Sequence, residues 1–342
     1  MVPGEHRSER GIVRVVDISR CRYYTFGEQE AGRPQDDTFN SRVVVWPVMP
    51  LVTDEEHAFF RENGYVKLEG VVPEALCEAV IDDIFTHTGR DRDDPETWYD
   101  PPKGLDEQFS SAGMLEMYHR QSMWDVRQHR HTYQAFAELL GTEQLWVSID
   151  RVNMTPPSHE EHPELDYGFV HWDVTLEDVP RPVPQPHGVQ GVVYLDDTTR
   201  DQGGFCCVPE LFGDIDADWL DDRVASRDNP SELTEADLDD YEVEAIPGEQ
   251  GDLVIWDRLC PHGNGRNQAD DPRFAQYVLM SPEGFRNVER REERIDCWRN
   301  SSNPAGSAFP GDPRELEAET PPAHLTPLGR KLLGLDPWGH WL

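Results

Sequence analysis

A chain of 342 residues is long enough to bury a large core as one elaborated domain or two, and no apolar run of about 18 residues is present to span a membrane. Asp and Glu number 67 against 31 Lys and Arg, a formal net charge of -36; no basic patch remains to neutralise phosphates, which excludes nucleic acid as a partner. Met1 to Arg7 have no apolar segment behind their charges, so no secretory leader is expected, and the six cysteines lack CxxC or framework spacing and read as reduced thiols of a cytoplasmic protein.

Only three basic residues are lysines, Lys67, Lys103 and Lys331. So acidic a surface repels itself at low ionic strength and is screened in concentrated salt, which points to a salt-adapted, halophilic setting. A codon preference for arginine would explain the lysine shortage without selection on the protein.

Residues 1–50 lack sustained periodicity apart from Arg42-Val43-Val44-Val45-Trp46, and are expected to form an N-terminal extension lying over the main domain, with one edge strand. Residues 51–342 are expected to form a single domain. Thr53-Asp54-Glu55-Glu56 has the form of a capping box, opening a helix that carries His57, Phe59 and Phe60 and stops at Gly64. Tyr65–Leu68 reads as a short strand. Pro73 opens a second helix, with Leu76, Val80 and Ile84 on one face. Residues 89–109 are rich in Asp and Pro and predict a surface loop, whereas 114–140 follow a helical pattern up to Gly141. Within that helix His129 and His131 diverge and read as solvated or capping residues.

Leu145 to Asn153 reads as a strand closing at Met154–Pro157. Arg151 and Asn153 share one face near its end. That face meets solvent in an ordinary strand and a ligand in a barrel, and composition alone leaves both open. Next come two His-x-acid pairs, in His159-Glu160-Glu161 and His162-Pro163-Glu164, in polar, loop-like surroundings that would leave a metal in water. Phe169-Val170-His171-Trp172-Asp173-Val174 differs, because its pair lies on an apolar strand, where residues i and i+2 point to the same face. Residues 181–186 form a stiff, extended loop. Strands are expected over 188–195, 204–209, 241–246, 253–256 and 274–280, with an acidic, partly helical insertion at about 211–240. Cys206 and Cys207 point to opposite faces and read as packing residues. Leu325, Leu328, Leu332 and Leu333 mark a closing C-terminal helix. Many short strands after two helices, with Gly and Pro turns between, give a mainly β fold: an antiparallel jelly roll with flanking helices.

Two histidines and a carboxylate can occupy one face of a metal octahedron and leave the opposite positions open, as in non-haem Fe(II) oxygenases. His171 and Asp173 supply two of the three. The third must come from a strand remote in sequence, and His262 follows the turn and apolar run Gly251-Asp252-Leu253-Val254-Ile255-Trp256. Arg273 lies at the entry to the next strand. A guanidinium buried in a barrel is costly unless it meets an anion, and its planar fork suits a carboxylate.

This spacing resembles the signature of the phytanoyl-CoA dioxygenase family of Fe(II)/2-oxoglutarate oxygenases, over roughly residues 50–285. The segment Asn63-Gly64-Tyr65-Val66-Lys67-Leu68 is similar to the family's entry segment, and His262-Gly263-Asn264-Gly265-Arg266-Asn267 to its last metal-bearing turn. The tail Leu325-Thr326-Pro327-Leu328-Gly329-Arg330 is compatible with it. The resemblance implies a double-stranded β-helix of the cupin type. It implies that His171, Asp173 and His262 bind Fe(II), that Arg273 holds the distal carboxylate of 2-oxoglutarate, and that Asn153 and Asn264 contact the same cosubstrate. It implies that O2 and 2-oxoglutarate are consumed, succinate and CO2 are released, and a small molecule is hydroxylated. Asp173 separates the chain from related halogenases, which keep a small residue there. One departure is Val208-Pro209-Glu210-Leu211-Phe212, where the family usually reads Pro-Gly-Ser-His; it touches the substrate mouth rather than the metal site. The family name does not carry phytanoyl-CoA as the substrate, since no basic groove for a CoA phosphate is apparent.

Two further readings stand beside this one. One is a metal-dependent jelly-roll enzyme that does not use 2-oxoglutarate, for which Arg273 would have no anion to bind. The other is a non-catalytic ligand-binding jelly roll, against which the intact triad argues. The sequence carries no signal of oligomeric state.

Overall fold

The computed structural model describes residues 50–166, 168–179, 188–284, 287–306 and 309–339. The expected edge strand at 42–46 and the stiff loop at 181–186 lie outside the described residues. Residues 51–342 cluster as one compact unit. In chain order it begins α1 (Asp54–Asn63), β1 (Tyr65–Leu68), α2 (Glu74–Thr88), β2 (Met114–Leu115), α3 (Gln121–Arg127), α4 (Arg130–Leu140), β3 (Leu145–Val147) and β4 (Val152–Thr155). It continues with β5 (Phe169–His171), β6 (Val189–Tyr194), β7 (Phe205–Cys207), α5 (Pro209–Asp214), α6 (Ala217–Ser226), α7 (Glu235–Leu238) and β8 (Glu244–Ala245). Last come β9 (Leu253–Asp257), β10 (His262–Asn264), β11 (Arg273–Val278), β12 (Met280–Pro282), α8 (Val288–Arg299) and α9 (Pro327–Leu333).

The fold is a jelly roll. A larger sheet runs β1-β9-β6-β11-β4-β2 and a smaller one β5-β10-β7-β8, with β12 and β3 as a separate pair, and every pairing is antiparallel. Neighbours in space are seldom neighbours in sequence, which is the mark of crossing between two sheets. The middle strands of the larger sheet are apolar on both faces for a reason. Val192, Tyr194, Val254, Trp256 and Ala275 point into the space between the sheets, where they meet Phe205 and Trp172. Val193, Leu195, Leu253, Ile255, Phe274 and Val278 point outward and are covered by Val80, Ile81, Ile84 and Phe136 of α2 and α4. Each such aliphatic side chain, fully buried, stabilises the fold by about 1.5–3 kcal/mol.

The local signals explain the entry segment. Thr53 Oγ1 accepts from the Glu56 N–H at 3.1 Å, and Glu56 returns the bond to the Thr53 N–H at 2.6 Å, completing the capping box that starts α1. Gly64 ends α1 at φ 75°, and a Cβ there would lie 2.7 Å from the Phe212 ring and 2.9 Å from Cys260. This glycine therefore serves both the turn and the close approach of α5 and the β9–β10 loop.

Two expectations need correction. The segment 114–140 is not one helix: Met114 and Leu115 pair with Asn153 and Val152 as β2, and helix is interrupted again at Gln128–His129 between α3 and α4. Strand pairing on the sheet edge overrides the helical spacing of the side chains. Residues 89–109 are not merely surface loop, because Trp98 and Arg90 are buried and Arg90 bonds the Asp100 carbonyl and Gln108. The acidic insertion is α5, α6 and α7, and the closing helix is α9. Among the described residues no helix is long and apolar enough to cross a membrane.

Candidate active site

β10 lies between β5 and β7, and its register sets His262 directly opposite His171. Gly263 makes that pairing possible. A Cβ at this position would lie 1.6 Å from the Phe169 carbonyl oxygen, so any side chain would force β10 off β5. The imidazole centroids of His171 and His262 are 4.7 Å apart.

Asp173 sits two residues beyond the end of β5, in a bend rather than within the strand, yet on the face His171 occupies. Two bonds hold the bend: Trp172 Nε1 donates to the Leu259 carbonyl at 2.9 Å, and the Arg258 guanidinium donates to the Asp173 carbonyl. Asp173 Oδ1 lies 3.1 Å from His171 Nε2, and Oδ2 lies 3.6 Å from His262 Nε2. One ligand-type atom from each of His171, Asp173 and His262 falls within 4.8 Å of the others, so the three could hold a metal ion.

Burial pulls the Asp173 carboxyl up, but its contacts with the two imidazoles outweigh this and hold it well below the usual carboxylate range. His262 is pushed down by burial, partly offset by Asp173. His262 Nδ1 lies 2.9 Å from the Cys260 carbonyl. That contact makes Nδ1 the protonated nitrogen and leaves Nε2 a lone pair facing Asp173.

Gln190 was not found from sequence. Its Nε2 donates to Asp173 Oδ2 at 2.7 Å, fixing the carboxylate from the larger sheet. A signal existed: one polar residue in the otherwise apolar run Gly188–Leu195. A cavity of about 530 Å³ opens between the sheets beside the three residues, walled by Phe169, Phe205, Trp256, Tyr277 and Phe309. Phe309 belongs to a stretch with no regular structure that docks across the site. Gly311 N–H donates to Glu116 at 2.8 Å, and Glu317 accepts from the Tyr118 and His119 N–H groups, both at 2.8 Å.

Arg273 is fully buried at the start of β11, on the strand face that carries Tyr277. Its NH1 reaches Asn153 Oδ1 at 3.3 Å, whereas Nε and NH2 have no partner among the described residues. An orphaned buried guanidinium is the expected mark of a missing anion. Asn153 has both ends of its amide engaged, since Nδ2 donates to the Ala112 carbonyl at 2.7 Å and Oδ1 also accepts from Thr155. It bears on the site through Arg273. Asn264 lines the cavity, with Nδ2 3.2 Å from the Tyr277 hydroxyl. Arg151 also lines it, lying over the Phe309 ring with NH1 3.4 Å from Glu116.

His159, His162, His129 and His131 are elsewhere. His162 stacks on Tyr99 with centroids 4.8 Å apart, and His159 lies against the same ring. His129 and His131 pack edge to face at the start of α4. Trp256 lines the cavity. Trp172 props the bend, while Tyr118 and His119 lie deeper, bonded to Glu116 and the Ser302 carbonyl.

Comparison with known proteins agrees with this architecture. The family model described as Phytanoyl-CoA dioxygenase (PhyH) matches residues 60–275. A candidate phytanoyl-CoA dioxygenase from Dictyostelium discoideum is 23% identical over 274 residues, covering 70% of this chain and 78% of its own. A hypothetical protein from Escherichia coli superposes with a TM-score of 0.60 at 16% identity, covering 83% of this chain and 82% of the other. An oxidoreductase candidate from Salmonella typhimurium LT2 gives 0.58 at 15% identity, with 83% of each chain covered. At such identities the two superpositions speak for the fold alone.

Proposed function

The chain belongs to the phytanoyl-CoA dioxygenase family, and on that premise we propose that it is an Fe(II)- and 2-oxoglutarate-dependent oxygenase that hydroxylates a small molecule. The observation that carries this reading is the convergence of His171, Asp173 and His262, in the same jelly roll that buries a guanidinium with two nitrogens orphaned among the described residues. Two imidazole nitrogens and a carboxylate are a donor set that suits Fe(II) and leaves coordination positions open.

In this reading His171, His262 and Asp173 hold the iron. Gln190 and the Cys260 carbonyl orient Asp173 and His262 from behind, as partners of metal ligands commonly do. Arg273 receives the distal carboxylate of 2-oxoglutarate, with Asn153 positioning the guanidinium and Asn264 beside the same cosubstrate. Bound iron and 2-oxoglutarate together supply the activation of O2, with release of succinate and CO2. What the chain contributes is orientation and dryness. The Phe205 and Trp256 rings pack against His262, with centroids 6.1 and 4.9 Å away, and keep water from that side. A cavity of about 530 Å³ suits a small-molecule substrate.

The five described cysteines are free thiols, which supports a reducing cytoplasm, and the net charge of -36 supports a salt-rich one. The test is anaerobic addition of Fe(II) and then 2-oxoglutarate in high salt, watching for the visible metal-to-ligand charge-transfer band. A band in the wild type, lost in His262→Ala and in Arg273→Ala, is the expected result. Iron binding without the band would sink the 2-oxoglutarate reading and favour a metal enzyme that does not use it.

A further inference from the structure

The cavity contains a charge that the reaction described above does not use. Four charged side chains other than the histidines face it: Asp150, Arg151, Asp173 and Arg258. Three are already matched. Arg151 NH1 lies 3.4 Å from Glu116, and its Nε lies 4.0 Å from Asp150, while Asp173 is held by the two histidines and Gln190. Arg258 differs. Among the described residues its guanidinium gives one bond, to the backbone carbonyl of Asp173, and its Nε is buried without a partner. Among the described residues no carboxylate lies within ion-pair distance of it, in a chain where acids outnumber bases 67 to 31. Among those residues Arg127 and Arg294, buried guanidiniums that also lack a carboxylate, each give two or more bonds to backbone carbonyls, whereas Arg258 gives one.

Arg258 is also well placed. It follows the end of β9, whereas Arg151 precedes β4, and β6 and β11 lie between those strands. Three inter-strand spacings, on the order of 14 Å, therefore separate the two along the sheet, and the Glu116 that neutralises Arg151 is not positioned to neutralise Arg258. Arg273, the cation assigned to 2-oxoglutarate, lies two strands from β9, on β11. The cavity is lined by Phe169, Phe205, Trp256 and Phe309.

We propose that Arg258 anchors an oxyanion, a carboxylate or a phosphate, carried by the substrate, and that the substrate is a small anionic molecule whose apolar body lies against these four aromatic rings. The inference rests on the oxygenase reading for the identity of the cavity as a substrate site. Anchoring through Arg258, whose NH2 already touches the backbone of Asp173, would set the anionic end of the substrate next to the metal-binding residues and direct oxidation to carbon close to that end. A guanidinium with unused N–H groups favours an oxyanion over a neutral amide of the same shape, because only the anion makes a charge-assisted bond.

The probes are 3-phenylpropanoate, phenyl phosphate and the neutral 3-phenylpropanamide, each titrated into the full-length protein with Fe(II) and 2-oxoglutarate under anaerobic conditions. Binding is read by perturbation of the charge-transfer band and, separately, by calorimetry on the metal-free protein. One of the anions is expected to bind at least about tenfold more tightly than the amide. This preference, read by calorimetry on the metal-free protein, should collapse to parity in Arg258→Gln and return in part in Arg258→Lys. Preference for the carboxylate or for the phosphate tells which oxyanion the site takes. Equal binding of anion and amide, no binding of either anion, or a preference that persists in Arg258→Gln would overturn the proposal. Loss of the band in Arg258→Gln with the anion preference intact by calorimetry would overturn it too, by showing that the residue serves only to hold Asp173. A wild type without any band is a failure of the oxygenase reading, and calorimetry still decides the anchor.

Discussion

Two His-x-acid pairs lie nine residues apart in this chain and could hardly be more alike in sequence spacing. His171 Nε2 lies 3.1 Å from Asp173, and His162 Nδ1 lies 3.4 Å from Glu164. The imidazoles are equally exposed, at 36% and 35% of their side-chain surface. What separates the pairs is what stands opposite. His171 is on a strand whose partner presents His262, and Asp173 accepts from Gln190 on the other sheet. His162 precedes a single turn of 3-10 helix, Pro163–Leu165, and its ring is spent in stacking on Tyr99. The acid too is freer, with Glu164 exposed over 62% of its side chain against 37% for Asp173. A metal site therefore needs a third ligand delivered by strand pairing and a support behind the acid, and i, i+2 spacing supplies neither.

That contrast can be tested by removing its parts in turn. His262→Ala takes away the cross-strand ligand and is expected to abolish Fe(II) binding and turnover, measured by metal content after gel filtration and by succinate release. Gly263→Ala keeps all three ligands but puts a Cβ 1.6 Å from the Phe169 carbonyl, so β5 and β10 must separate. It should lose iron nearly as completely, and lower the urea midpoint by an amount corresponding to about 3 kcal/mol or more. Gln190→Ala removes only the support behind Asp173. Its Fe(II) affinity should fall by about 10- to 100-fold, read by competition with a chelator, with the fold intact. His162→Ala should leave iron affinity unchanged and cost no more than about 0.5 kcal/mol of stability, as a surface change. If His162→Ala instead lost iron, the assignment of the two pairs would be reversed.

The same contrast shows what the sequence could and could not reveal. His171, Asp173 and His262 were legible because an apolar strand on either side limits where a side chain can point. Arg273 was legible because a guanidinium at the start of a buried strand is chemically conspicuous. The capping box at Thr53 and the glycine stop at Gly64 were local and came through intact. What could not be seen was set by distant partners. Met114 and Leu115 have helical spacing around them and become strand because β4 offers an edge. Two of the partners that hold the Asn153 amide, Ala112 and Arg273, lie off its strand and could not be read along it. The helix α8 and the irregular stretch behind it went unread, since their polar groups bond to partners far off in sequence, Arg294 to the Val147 carbonyl and the Gly311 N–H to Glu116.

That irregular stretch has a consequence for how the molecule is made. Glu116 receives the Gly311 N–H across 195 residues of chain, and the Arg151 guanidinium is roofed by Phe309. During synthesis the floor of the cavity emerges long before its roof. Until residues 309–317 leave the ribosome, Glu116, Tyr118 and Arg151 are open to water and the main-chain N–H groups of Tyr118 and His119 lack Glu317. A nascent chain that has already paired β5 with β10 can thus present His171, Asp173 and His262 together while one wall of the chamber around them is still missing. Closure of the chamber is timed by translation of its last wall and not by assembly of its first ligands.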